Sequence, residues 1–132
     1  MRIVRWVKEM SAKKKKILYV QTSGVETPER AYAPFILAQT ASMMNVEATV
    51  YFVIKGVTLV KKGEAEKIKM GSFPSLREVM DQAVKAGVKL VVCEQSCGLL
   101  GIPRGDFTKD AQIVGAATLN DLALNADAVL CF

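Results

Sequence analysis

Apolar residues in this chain gather in short runs, and the segments between them carry helix-start and turn chemistry. Residues 17–21 (ILYVQ) are apolar and β-branched without alternation, the pattern of a strand buried on both faces. Residues 47–54 (EATVYFVI) and 88–93 (VKLVVC, broken only by Lys89) repeat it, and residues 112–114 and 128–132 repeat it more weakly. Five strands are predicted. Between the first two, Thr27, Pro28 and Glu29 offer an N-cap, a proline at the first helical position and an acidic first turn. They predict a helix to about Met44, kinked near Pro34, where an interior position would need the missing N–H. Its small-residue stripe of Ala31, Phe35, Ala38 and Ser42 is assigned to the core, together with Met43 and Met44. Residues 56–63 (GVTLVKKG) predict a helical turn leading into a charged, exposed stretch to about Lys69. After a loop at 71–74, Ser75 caps a helix through Ala86 and Gly87 gives it a left-handed stop. Thr118 caps a last helix through Asn125. Strand and helix alternate with no hairpin signal, so the predicted class is α/β: three layers, α/β/α, around a mostly parallel five-stranded sheet.

Composition narrows what such a domain can do. A chain of 132 residues buries about two thirds of its unfolded surface, enough for one core and one domain. No apolar run approaches the roughly 20 residues of a membrane span, and the N-terminus has no contiguous apolar signal region, so a soluble, cytoplasmic chain is expected. Three cysteines are an odd number and suit thiol chemistry in a reducing compartment better than a disulfide framework. The absence of histidine removes the commonest general base, the usual metal ligand and any cysteine–histidine pair. A zinc site would need all three thiolates to converge with a fourth ligand, so neither a metal nor a cofactor is assigned.

The net charge of +5 is uneven. Residues 1–16 hold seven Lys or Arg and one Glu, giving +6, whereas the remaining 116 hold 11 basic and 12 acidic, giving −1. The body therefore lacks the basic face that tracks phosphates, and nucleic-acid binding is set aside. The division is a basic extension at 1–15 and a domain at 16–132. Within the extension Ile3, Trp6, Val7 and Met10 have helical spacing. One reading is an amphipathic helix docked on a membrane surface or partner groove. The other, preferred because about ten residues make a marginal helix alone, is a poorly ordered or core-capping extension.

In an open parallel sheet, ligands sit at the carboxyl ends of the strands. Two loops belong there: residues 22–27 after the first strand, and CEQSCGLLGIP, which begins where the third strand ends. Cys93 stands at that end, facing the first turn of a following helix, whose free N–H groups favour an anion such as a thiolate or the outer sulfur of a persulfide. Glu94 is expected to point to solvent. Cys97, four residues on, is within disulfide reach if both lie on one helix face, and reads equally as a relay thiol or as packing. Cys131 is assigned to the core. The candidate catalytic residues are Cys93 and Cys97, with Ser23, Gly24, Thr27 and Ser96 as candidate substrate-binding residues. The first loop lacks GxGxxG and GxxxxGK[ST], so no nucleotide fingerprint supports it.

Three segments carry a family resemblance: ILYVQTSGVETPERAYAPFILAQTA, VYFVIKGVTLVKKG, and CEQSCGLLGI with the later GAATLNDLALNADAVLCF. Over about residues 16–132 the chain resembles the DsrE/DsrF-like family, which includes TusD-like sulfur-relay proteins and a group labelled predicted peroxiredoxins. Cys93 lies eight residues before Gly101-Ile102, as the reactive cysteine does in sulfur-transferring members. The resemblance implies a flavodoxin-like α/β fold and a sulfur carrier or sulfurtransferase with a persulfide on Cys93. It also implies TusA-like or rhodanese-like donor and acceptor proteins, and a homotrimer or hexamer. The alternatives are a non-catalytic oligomeric subunit and a thiol redox sensor using Cys93 and Cys97. The peroxiredoxin label has no support, since neither Arg nor Thr adjoins Cys93.

Overall fold

A computed structural model describes residues 14–132. Its strands are β1 (Lys16–Gln21), β2 (Glu47–Phe52), β3 (Lys89–Cys93), β4 (Ala111–Val114) and β5 (Ala128–Cys131). They form one sheet in the order β4-β3-β2-β1-β5, with all four pairings parallel. The helices are α1 (Tyr32–Met43), α2 (Leu76–Lys85), α3 (Glu94–Leu100) and α4 (Ala116–Asn125), with 3-10 turns at Pro28–Arg30, Ile54–Val60, Ala65–Lys67 and Arg104–Asp106. Residues 1–13, and with them the helical spacing of Ile3, Trp6, Val7 and Met10, lie outside the described residues.

The unbroken apolar runs are strands because both faces of the sheet are covered. Successive residues of β1 illustrate it: Leu18 belongs to one apolar cluster and Tyr19 to another, and both are buried. The two sides are unequal. On one, α1, α2 and the Ile54–Val60 turn enclose Phe35, Val50, Phe52, Leu76, Met80, Leu90 and Val92. Full burial of such side chains contributes about 1.5–3 kcal/mol each, so most of the stability resides there. On the other, Leu18, Tyr51, Val91 and Cys93 are covered by Leu119, Leu122 and Ala123 of α4, a helix with no fully buried residue.

Several local expectations need correction. Thr27 does not cap a long helix: it makes no capping bond, and Pro28–Arg30 is a single 3-10 turn. Helix α1 starts only at Tyr32. Pro34 is then its third residue, where a backbone N–H would have no intrahelical acceptor, so proline fits without a kink. Ala31, Phe35 and Ala38 are buried as expected, but Met43 and Met44 are exposed, because the chain is already turning through Asn45, at φ 61°, toward β2. Strand β2 stops at Phe52 because Ile54 adopts a left-handed φ of 56°. The stretch to Lys69 is not solvated throughout, since Ala65 and Ile68 are buried in the main core. Ser75 does cap α2, accepting from Glu78 N at 3.3 Å, and Gly87 ends the turn after it at φ 98°. Thr118 lies inside the first turn of α4, whose N-cap is Gly115. Among the described residues no helix is long and apolar enough to cross a membrane.

Candidate functional site

The carboxyl edge of the sheet brings together the exits of β1, β2 and β3. Four consecutive residues of β3, from Leu90 to Cys93, are buried, so the strand carries Cys93 to this edge on a fixed backbone. Cys93 itself keeps extended dihedrals, φ −71° and ψ 118°, and occupies the N-cap position of α3. Its Sγ donates to Gln95 Oε1 at 3.6 Å, and the residue is 7% exposed, in the smaller apolar cluster. Glu94 turns outward as expected, where its carboxylate meets Arg104 Nη1 at 3.0 Å.

Cys97 is placed otherwise than helical spacing suggests. Because Cys93 is extended rather than helical, the two side chains do not share a helix face. Cys97 Sγ donates to the carbonyl oxygen of Cys93 at 3.4 Å, and the residue packs in the larger cluster whereas Cys93 belongs to the smaller one. Burial, followed by the nearby Cys93, pushes the Cys97 thiol above its ordinary range. The assignment of Cys131 to the core is corrected: β5 is an edge strand with four exposed residues, and Cys131 is one of them.

The remaining sequence candidates serve the loops. Ser96 is buried, and its Oγ accepts from Ile54 N at 2.7 Å, fastening α3 to the exit of β2. A Cβ on Gly24 would stand 2.3 Å from Lys55 O, so only glycine lets the first loop lie against the Ile54–Val60 turn. Five backbone N–H groups of this loop, those of Thr22, Ser23, Gly24, Val25 and Thr27, are engaged within the protein. Ser23 N donates to Phe132 O, Gly24 N to Glu26 Oε1, Val25 N to Thr58 Oγ1 and Thr27 N to Gly24 O. Thr27 Oγ1 and the Oε1 of Gln21 are buried without partners.

One residue of the site was invisible to sequence reasoning. Tyr51 of β2 is fully buried in the same cluster as Cys93, and its Oη donates to Gly115 O at 3.4 Å. Burial and the adjacent Cys93 sulfur push its phenol up to about 12. The signal that would have found it is strand register, which places Tyr51 opposite Val91, two residues before Cys93. A cavity of about 190 Å³ lies at the opposite edge of the sheet, lined by Lys16, Leu18, Thr49, Asp121 and Leu122, and so has no access to Cys93. Among the described residues no cluster of three or more Cys, Asp or Glu could hold a metal. The chemistry this arrangement offers is that of a single thiol at a strand end, with a hydroxyl and an amide beside it.

Relatives share this scaffold. The chain is 33% identical over 102 residues to the uncharacterized protein MJ0760 of Methanocaldococcus jannaschii, a match covering 77% of this chain and 37% of that longer protein. It is 25% identical to the sulfur carrier protein DsrE2 of Allochromatium vinosum, over 88% of this chain and 97% of that one. In structure it resembles the ychN protein of E. coli, with a TM-score of 0.67 at 17% identity over 91% of this chain and all of the other. The MTH1491 protein of Methanobacterium thermoautotrophicum, of unknown function, superposes with a TM-score of 0.66 at 11% identity and the same coverage. The all-parallel five-stranded α/β fold is thus that of known structures, and because the model of one family matches residues 15–132, the chain belongs to the DsrE/DsrF-like family.

Proposed function

We propose that this protein is a sulfur carrier that holds sulfane sulfur as a persulfide on Cys93 and passes it to a partner thiol. The observation that carries the reading is the position of Cys93 at the β3–α3 junction, the strand end at which an open α/β sheet presents its chemistry. Similarity to a sulfur carrier over 97% of that protein's length supports it. In the first step the Cys93 thiolate attacks the outer sulfur of a donor persulfide. A sulfur–sulfur bond forms on Cys93 while the donor's breaks, and the donor thiolate leaves. In the second, an acceptor thiolate attacks the outer sulfur on Cys93, and the Cys93 thiolate is regenerated. The two exchanges balance without an external oxidant or reductant.

Cys97, turned to a carbonyl in the main core, packs rather than relays in this reading, so donor and acceptor both meet Cys93 directly. Partners of this chemistry are TusA-like or rhodanese-like proteins in a reducing, cytoplasmic compartment. Self-association fits the apolar side chains left uncovered on β5 and α4, namely Val129, Leu130 and Leu124. The domain proper is residues 16–132, with the basic extension outside it.

The test is intact-mass measurement after incubating reduced protein with polysulfide or thiosulfate. Added sulfur on the wild type and on Cys97→Ser, absent from Cys93→Ser, is expected. No gain on the wild type, or a gain that survives Cys93→Ser, overturns the reading.

A further inference from the structure

Register and reach together bring a second functional group to the Cys93 sulfur. Tyr51 lies opposite Val91 on β3, and Cys93 lies opposite Val114 on β4. The Tyr51 hydroxyl nevertheless bonds to Gly115, the residue just beyond Val114. To join β2 to the far side of β3, the tyrosine ring crosses β3 beneath Cys93, in the cluster both residues share. At 3.4 Å its bond to Gly115 O is longer than the usual range, so the buried hydroxyl is only loosely tied to that acceptor.

We propose that Tyr51 is a positioning residue whose hydroxyl turns from Gly115 O to donate a hydrogen bond to Cys93 Sγ whenever that sulfur is anionic. The proposal rests on Cys93 being the sulfur-carrying thiol. A single donor held at a fixed angle favours the thiolate and orients its lone pairs toward the edge of the sheet, where a donor persulfide must arrive. The rise of the Tyr51 phenol to about 12, caused first by burial and then by the Cys93 sulfur, agrees with this contact. The Cys93 sulfur also bonds Gln95 Oε1 of α3, while Cys97 bonds the Cys93 carbonyl and Glu94 turns outward to Arg104. The acidic residue of α4, Asp121, lines the cavity at the opposite edge.

The experiment is alkylation of the full chain by iodoacetamide, with Cys93 read separately from Cys97 and Cys131 by peptide mass mapping. Tyr51→Phe, which keeps the ring, is expected to slow Cys93 alkylation about tenfold at neutral pH, with the difference vanishing in strong alkali. A folded Tyr51→Phe protein that reacts at the wild-type rate overturns the proposal. Should that variant fail to fold, Cys93→Ala decides: the tyrosinate absorbance of Tyr51 is expected to appear at lower pH, and an unchanged titration overturns the contact. Alkylation does not depend on sulfur loading. An altered rate with no persulfide on the wild type would therefore reject the carrier reading while keeping the contact, and the reverse result would reject only the contact.

Discussion

The Cys97 thiol points at the carbonyl oxygen of Cys93, 3.4 Å away, and each sulfur lies in its own apolar cluster. Both thiols are free, and that of Cys97 is engaged with a backbone carbonyl rather than with the Cys93 sulfur. Cys97→Ala should therefore leave sulfur loading at Cys93 unchanged. It should lower stability by about 1 kcal/mol, the cost of a small cavity and a lost weak bond. Denaturant unfolding and intact mass on the same variant check both halves. A loss of loading with stability intact would instead make Cys97 part of the chemistry.

The bond from Ile54 N to Ser96 Oγ is the second tie at this edge, and it holds a β-branched residue at φ 56°. Left-handed backbone costs such a residue roughly 1–2 kcal/mol, which the Ser96 bond helps to offset. Ser96→Ala should cost about 1–3 kcal/mol, because a partly buried N–H loses its acceptor. Ile54→Gly should change stability by less than about 1 kcal/mol, since strain relief opposes glycine's added freedom. Chemical denaturation midpoints of the two variants read this directly, and a larger loss for Ile54→Gly than for Ser96→Ala would refute the account.

These two ties mark where sequence reading stops. Strands were legible because sequences such as TVYF and LVVC are buried on both faces and show no alternation. Ser75 and Gly87 were legible because a cap and a left-handed stop act within a few residues. Strand order is not written locally, so the exposure of Cys131, which follows from β5 lying at the edge, could not be read. The same applies to Tyr51, whose meeting with Cys93 depends on the register between β2 and β3. Thr27 misled because Pro28 and Glu29 suit the start of a 3-10 turn as well as that of a helix. The place of Cys93 at the end of β3 was legible because its signal is local, a cysteine closing an apolar run.

Close backbone approach makes a third prediction. A Cβ on Gly56 would stand 1.9 Å from Gln21 O, and one on Gly24 2.3 Å from Lys55 O, both against backbone rather than a mobile side chain. Each alanine substitution should destabilise by more than about 2 kcal/mol, Gly56→Ala the more. Gly98→Ala, with open space around its Cβ and a helical position, should be neutral or stabilising by up to about 1 kcal/mol. Thermal melts of the three variants establish the order, and equal losses at Gly56 and Gly98 would contradict it.

Stability in alkali follows from Tyr51 and Cys97, whose protons are held more tightly in the folded chain than in the unfolded one. For an acid raised in this way, the unfolded state ionises first as pH rises. The stabilisation is therefore complete below the unfolded value and lost as pH climbs through the folded one. For Tyr51 that window runs from 10.0 to about 12. The loss attributable to Tyr51 is on the order of 2–3 kcal/mol across it. Loss should begin lower, as unfolded thiols ionise, through Cys97. Tyr51→Phe removes the phenol and should flatten the upper part of the decline while leaving the lower part in place. Cys97→Ala should do the reverse. Denaturation midpoints measured from neutral pH to the phenol range distinguish the two, and parallel curves for wild type and Tyr51→Phe would show that the phenol is not held protonated by its surroundings.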